Sequence, residues 1–230
     1  MTIAENLDRV RATLREATLA AGRPVESVRL VAVSKVQPVA AILEAREAGQ
    51  LDFGENYAQE LRDKAELVPP PIRWHFIGAL QRNKVKYVVG RALLVHDVDN
   101  VALAEEIGKR SGGSPTGILL GVNIGEEPQK SGVLPKDALA MAEAMTRIPG
   151  VSLQGLMCIP PAVATPDAAA PWFEALADLG ARGRAAGLPL HELSMGMSHD
   201  YAVAVRYGAT LVRVGTAIFG ARPARNAPAA

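Results

Sequence analysis

Short apolar runs alternate with helix-like segments along most of this chain, and that alternation narrows the choice of fold more than any other feature. The candidate strands are 29–34, 51–53, 74–78, 93–97, 117–123, 153–157, 190–194 and 210–214. Pro135 opens a helical stretch with Ala138, Met141, Met145 and Ile148 on one side, closed by Pro149-Gly150. Thr165-Pro166 opens another with Trp172, Leu176 and Leu179 expected to face inward, and Ser198 is placed to cap a third that Gly208 ends. Ahead of the first strand, residues 3–21 read as a helix: Thr2 and Glu5 form a capping box, Ile3, Leu7, Val10 and Leu14 share a face, and Gly22 with Pro24 stops it. Repeated strand-helix units build a parallel sheet, because each crossover returns the chain to the same end. An open doubly wound sheet and a closed (β/α)8 barrel both accept the pattern. The count of eight favours the barrel, and no G-x-G-x-x-G opens a helix after the first strand, which weakens the dinucleotide-binding alternative. Residues 1–220 are therefore expected to form one α/β domain, a (β/α)8 barrel of TIM type with an extra N-terminal helix, and 221–230 a frayed tail.

Composition removes several function classes. The 230 residues carry 25 Lys and Arg against 24 Asp and Glu, a net charge of +1, with no basic stripe interleaved with aromatics, so nothing argues for nucleic acid. The opening "MTIAENLDRV" is too polar for a secretory signal, and no apolar run is long enough to span a bilayer. A cytoplasmic monomer is the expectation. Cys158 is the sole cysteine, which rules out an intrachain disulfide, and within "GLMCIPP" it reads as a small buried hydrophobe. His75, His96, His191 and His199 show no ligand spacing, so no metal site is expected.

Barrel enzymes carry their chemistry at the carboxyl ends of the strands, commonly with a phosphate site after strands 7 and 8. Strand 7 leads into "SMGMSHD", where Gly196 allows close backbone approach and Ser194 and Ser198 flank it; strand 8 leads into Gly215 and Thr216. Each turn is weak evidence by itself; the pair at the two expected places favours a phosphate cradle over plain turns. Closing the barrel would set strand 1 beside strand 8, bringing Lys35 next to Arg213 and Gly215, with Asn56 from "FGENYAQE" on the other side. Taken alone, Lys35 reads as a snorkelling side chain with its head in water. Beside a phosphate cradle and a fixed cation, it reads instead as an amine suited to carbonyl chemistry, since a neighbouring positive charge and desolvation both favour a neutral lysine. Lys130, in "NIGEEPQKSG" after strand 5, reads as a solvated loop lysine, with a transient landing point for an aldehyde as the alternative.

The motifs "VAVSKVQP", "FGENYAQE", "WHFIGALQRNK", "KSG", "GLMCIPP" and "SMGMSHDYAVAVRYGATLVRVGTAIFG" resemble those of the pyridoxal 5′-phosphate homeostasis proteins, single-domain relatives of the barrel half of alanine racemases. The resemblance runs from about Leu30 to Gly220. It implies a barrel that binds pyridoxal phosphate covalently, as a Schiff base on Lys35, with no established turnover. It further implies that Ser194, Met195, Gly196, Ser198, Gly215 and Thr216 surround the phosphate, that Asn56 and His75 line the cofactor pocket, and that Arg213 faces the pyridine nitrogen. His199 departs from the pattern, because many relatives carry an acidic residue there, and Ala79 stands where a proline is common. The implied role is intracellular cofactor buffering or delivery, with transient contact to apo-enzymes. An amino-acid racemase or lyase is the rival. Racemisation needs a second acid/base on the opposite cofactor face, which racemases take from an additional β domain, so a non-catalytic carrier is the expected outcome.

Overall fold

The structure, a computed structural model, describes residues 1–221. Of the expected tail, 222–230 lie outside the described residues. Helix α1 (Ile3–Ala20) starts with the anticipated box: the Thr2 hydroxyl accepts from the Glu5 N–H at 3.2 Å and the Glu5 carboxylate accepts from the Thr2 N–H at 2.8 Å. The strands are β1 (Arg29–Val33), β2 (Asp52–Glu55), β3 (Arg73–Phe76), β4 (Ala92–Val98), β5 (Thr116–Val122), β6 (Val151–Cys158), β7 (Glu192–Met197) and β8 (Leu211–Val214). Helices α2 (Val39–Glu47), α3 (Ala58–Leu67), α4 (Val85–Val88), α5 (Val101–Arg110), α6 (Ala138–Thr146), α7 (Ala170–Ala185), α8 (Tyr201–Arg206) and α9 (Thr216–Phe219) fill the crossovers and follow β8. The eight strands form one closed parallel barrel in chain order, with β8 paired to β1 through Val31 opposite Arg213 and Ala32 opposite Val214.

Two packing shells follow from the period-2 alternation of each strand. Leu30, Ala32, Leu193, Met195, Val212 and Val214 point outward into the main apolar layer beneath the helices. Val31, Leu94, Leu119, Met157 and Leu211 form a smaller apolar cluster inside the barrel. Where interior space is short, glycine supplies it: a Cβ on Gly155 would lie 1.8 Å from the Glu192 carbonyl oxygen, so β6 and β7 can pair only without one.

Three boundaries differ from the sequence reading, with consequences for the site. β2 extends to Glu55 and β7 to Met197, so Met195 and Gly196 join Ser194 in a strand and do not form a loop. Ser198 does not cap α8, whose first residue is Tyr201; its hydroxyl instead accepts a 3.1 Å hydrogen bond from the Gly215 N–H. In α7, Phe173 takes the fully buried position beside Leu176, while Trp172 is only partly covered.

Candidate functional site

A cavity of about 260 Å³ opens at the carboxyl ends of the strands. The end of β1 contributes Val33 and, just beyond it, Lys35 and Gln37; β2 runs into Asn56. Opposite stand Met197 at the end of β7 with Ser198 and His199 just beyond it, Arg213 on β8, and Gly215, Thr216 and Gly220 around α9. Ile77 and Ile159 supply apolar wall. Parallel pairing on both sides of β1 brings these parts together, since every strand delivers its last residue to the same rim. Asn56 Oδ1 is buried with no partner among the described residues, a polar atom on the cavity wall that a bound ligand can satisfy. Lys35 is half-buried, with its backbone in the turn that follows β1. Ile159 also borders a second hollow, where burial and the neighbouring Asp99 push the Asp97 carboxyl up to about 6.

Below the cavity the barrel interior holds a column of polar side chains, all on inward positions. Arg213 donates from Nη1 to Ser194 Oγ (2.5 Å) and from Nη2 to the Cys158 carbonyl (2.8 Å). Ser194 Oγ lies 2.8 Å from His96 Nδ1, His96 Nε2 lies 2.9 Å from His75 Nδ1, and His75 Nε2 lies 3.0 Å from Asp52 Oδ1. Arg73 closes the far end with two bonds to the Asp52 carboxylate, from Nε at 2.9 Å and Nη2 at 2.5 Å. Guanidinium only donates and carboxylate only accepts, so the two ends set the direction of every bond between them. Ser194 must donate to His96, His96 to His75, and His75 to Asp52. Burial, reinforced by His75 and Arg213, pushes the His96 imidazole well below its usual 6.5, in keeping with one proton on Nε2. Burial alone would raise Asp52, but hydrogen bonds from His75 and Arg73 outweigh it and hold the carboxyl below 3.8. Burial also draws Arg213 below the ordinary guanidinium range. A guanidinium nonetheless keeps its charge in proteins, so a cation stands in the cavity wall.

Of the residues singled out in the sequence, Lys35, Asn56, Ser198, Arg213, Gly215 and Thr216 line the cavity. Four lie elsewhere. His75 and Ser194 are fully buried members of the column, because β3 and β7 turn them inward beneath Arg213. Met195, the next residue along β7, faces outward into the core under the helices. Gly196 has φ +90°, and a Cβ there would lie 2.6 Å from the Ala204 Cβ; it permits close packing of α8 on β7. His199 does line the cavity and is exposed, while Asp200 turns back to accept from the Met197 N–H at 2.7 Å. Ile77, Ile159 and Met197 were not anticipated, because apolar residues just past a strand end carry no chemical signal in a sequence. Cys158 is fully buried, and burial pushes its thiol up to about 12, so it behaves as the expected small hydrophobe. Lys130 donates to the Pro160 carbonyl at 3.0 Å and pairs with Glu127, away from the main cavity.

Residues 5–223 match the family described as alanine racemase, N-terminal domain. The chain is similar to the pyridoxal phosphate homeostasis protein of Pseudomonas aeruginosa, with 46% identity over 228 residues that cover 96% of each chain. It belongs to the pyridoxal phosphate homeostasis family. The family's member in Escherichia coli is 39% identical over 96% of this chain and 97% of its own. A solved structure of PipY from Synechococcus elongatus, described with pyridoxal phosphate bound, superimposes with a TM-score of 0.83 at 38% identity, covering 95% of this chain and all of the other. The family resemblance in the sequence is thus borne out, as is the (β/α)8 barrel. Among the described residues no helix is long and apolar enough to cross a membrane, and no group of metal-ligating side chains converges.

Proposed function

We propose that this protein binds pyridoxal 5′-phosphate in the cavity, joined covalently to Lys35, and acts in the cytoplasm as a carrier or buffer of the cofactor without turnover of its own. The observation that carries this reading is the shared cavity: Lys35 from the first strand's end, the Arg213 cation from the last strand, and hydroxyls of Ser198 and Thr216 line one space. The donor set fits the ligand. Hydroxyls and backbone groups around Gly215 suit a phosphate, Arg213 offers a donor to a ring nitrogen, and the orphaned Asn56 amide oxygen can take a polar partner.

The cofactor supplies an aldehyde and, in enzymes, an electron sink. The chain's own residues determine how far that chemistry goes. With the cofactor bound, Lys35 would supply the amine that the aldehyde takes up as an imine, the aldehyde oxygen leaving as water with the two amine protons and no redox change. Arg213 can only donate, so it keeps a facing ring nitrogen unprotonated and the electron sink weak. That supports storage over carbanion chemistry. A monomer with transient contacts to recipient apo-enzymes completes the reading.

The test is a visible spectrum of the protein mixed with pyridoxal phosphate. A band that borohydride bleaches, with the reduced adduct mapped to Lys35 and lost in Lys35→Ala, is the expected outcome. Binding that persists in Lys35→Ala without a band would replace covalent attachment with simple phosphate recognition. Racemisation or cleavage of amino acids by the loaded protein at enzymic rates would favour the rival reading.

A further inference from the structure

The turn that carries Lys35 is gripped from both sides by one buried cluster that takes no part in lining the cavity. Ser34, immediately before it, is fully buried; its hydroxyl donates to Glu55 Oε1 at 2.6 Å, and its carbonyl accepts from Lys64 Nζ at 2.7 Å. Val36, immediately after it, donates its N–H to Glu60 Oε1 at 2.7 Å. Lys64 ties the two grips together, 2.8 Å from Glu55 Oε1 and 2.6 Å from Glu60 Oε1. Glu55 ends β2, whereas Glu60 and Lys64 lie one turn apart on α3.

The backbone at the turn shows what the grip is for. Val36 has φ +57°, and Val36 and Glu126 are the only non-glycine residues with positive φ among those described. A β-branched residue is a poor occupant of the left-handed region, so the conformation persists only where surrounding contacts over-determine it. The Val36 N–H contact with Glu60 is such a contact. Relaxing Val36 to an ordinary extended or helical conformation would swing the peptide between residues 35 and 36 and re-aim the side chain that precedes it.

We propose that Glu55, Glu60 and Lys64 are positioning residues for Lys35: they hold the Ser34–Val36 turn in its left-handed form and thereby aim the amine into the cavity. The inference rests on the reading of Lys35 as the attachment point. Salt bridges buried this deeply contribute little net stability compared with apolar replacements, so a cluster placed here is better explained by the geometry it enforces. Burial, aided by the nearby Glu60 charge, pushes the Glu55 carboxyl up to about 7, in keeping with a site crowded with acceptors for one ammonium.

The experiment compares wild type, Glu60→Ala, Glu60→Gln and the double variant Glu60→Ala/Val36→Gly. It reads pyridoxal phosphate affinity from the imine band, borohydride-trapped adduct at Lys35 by peptide mass, melting temperature, and amide exchange over 34–37 without cofactor. Glu60→Gln keeps an oxygen for the Val36 N–H and should stay within about twofold of wild type, since the neutral bond retains its geometry. Glu60→Ala should lose roughly tenfold or more in affinity, of the order expected from mis-aiming a reacting group, and exchange faster at 34–37. Glycine adopts positive φ without strain, so adding Val36→Gly should recover most of the affinity while the melting temperature stays as low as in Glu60→Ala. Unchanged affinity in Glu60→Ala, or a double variant that recovers nothing, overturns the positioning role while leaving attachment at Lys35 intact. No trapped adduct in wild type overturns attachment itself, and the positioning role falls with it.

Discussion

Glu55 shows how one residue couples burial to pH. Unfolded, its carboxyl titrates near 4.5; folded, desolvation moves it up to about 7. The folded chain therefore binds more protons than the unfolded one between those values, and the stability present below pH 4.5 is lost as pH rises through 7. Glu55→Gln removes the titration but keeps an acceptor for Ser34 and Lys64. The variant should show a flatter stability profile from pH 4.5 to 7 and exceed its parent above pH 7, measured by urea unfolding on both sides of neutrality. Asp52 acts with the opposite sign: its folded value lies below 3.8, so its contribution is present above that and disappears in stronger acid. Ser194 poses a different problem, because its hydroxyl bridges two buried groups, Arg213 and His96. Ser194→Ala leaves His96 Nδ1 without its donor and Arg213 Nη1 without its acceptor, both buried, and should destabilise by about 1–3 kcal/mol in chemical denaturation.

At the scale of elements, α1 fastens the barrel where it closes. It packs on α8 and α9, and the Asn6 side-chain amide donates to the Ile218 carbonyl at 2.8 Å, so the first helix supports the short helix that carries Thr216. Leu7 is wholly buried on that face whereas Leu19 is half exposed. Leu7→Ala should cost about 2–5 kcal/mol and Leu19→Ala no more than about 0.5 kcal/mol, read from paired denaturant midpoints. The same contrast explains what the sequence could disclose. Apolar residues at helical spacing announced α1, and eight apolar runs announced the barrel, because those patterns are imposed by burial along the chain. The end of β7 was hidden: Ser194, Gly196 and Ser198 look like turn residues, yet the strand continues to Met197 because the barrel interior accepts small polar groups there. The same alternation settles where His75 sits in the barrel. Its neighbours Trp74 and Phe76 face the helices, which turns the imidazole inward; the sequence held the pattern, but only the Asp52, His96 and Ser194 partners reveal its use. Lys35, Asn56 and Arg213 were legible because strand closure fixes them on one rim; the Ser34–Val36 grip was not, since it depends on one backbone torsion and a side chain 24 residues away.

Across the whole molecule, the strands converge at one rim on the cavity, and the column descends from it to Arg73 on the opposite side, whose guanidinium reaches solvent. Between Arg213 and Asp52 each linking hydrogen in that column points away from the rim, and Arg73 donates to Asp52 from the far side. Reversing it would require stripping a proton from a guanidinium, which ordinary acidity or alkalinity does not do. Arg213 thus keeps its positive charge in the cavity wall across the ordinary range of pH. If pyridoxal phosphate is held there as proposed, its release would have to act at the Lys35 amine or at the phosphate, because the Arg213 cation beneath does not titrate in the ordinary range.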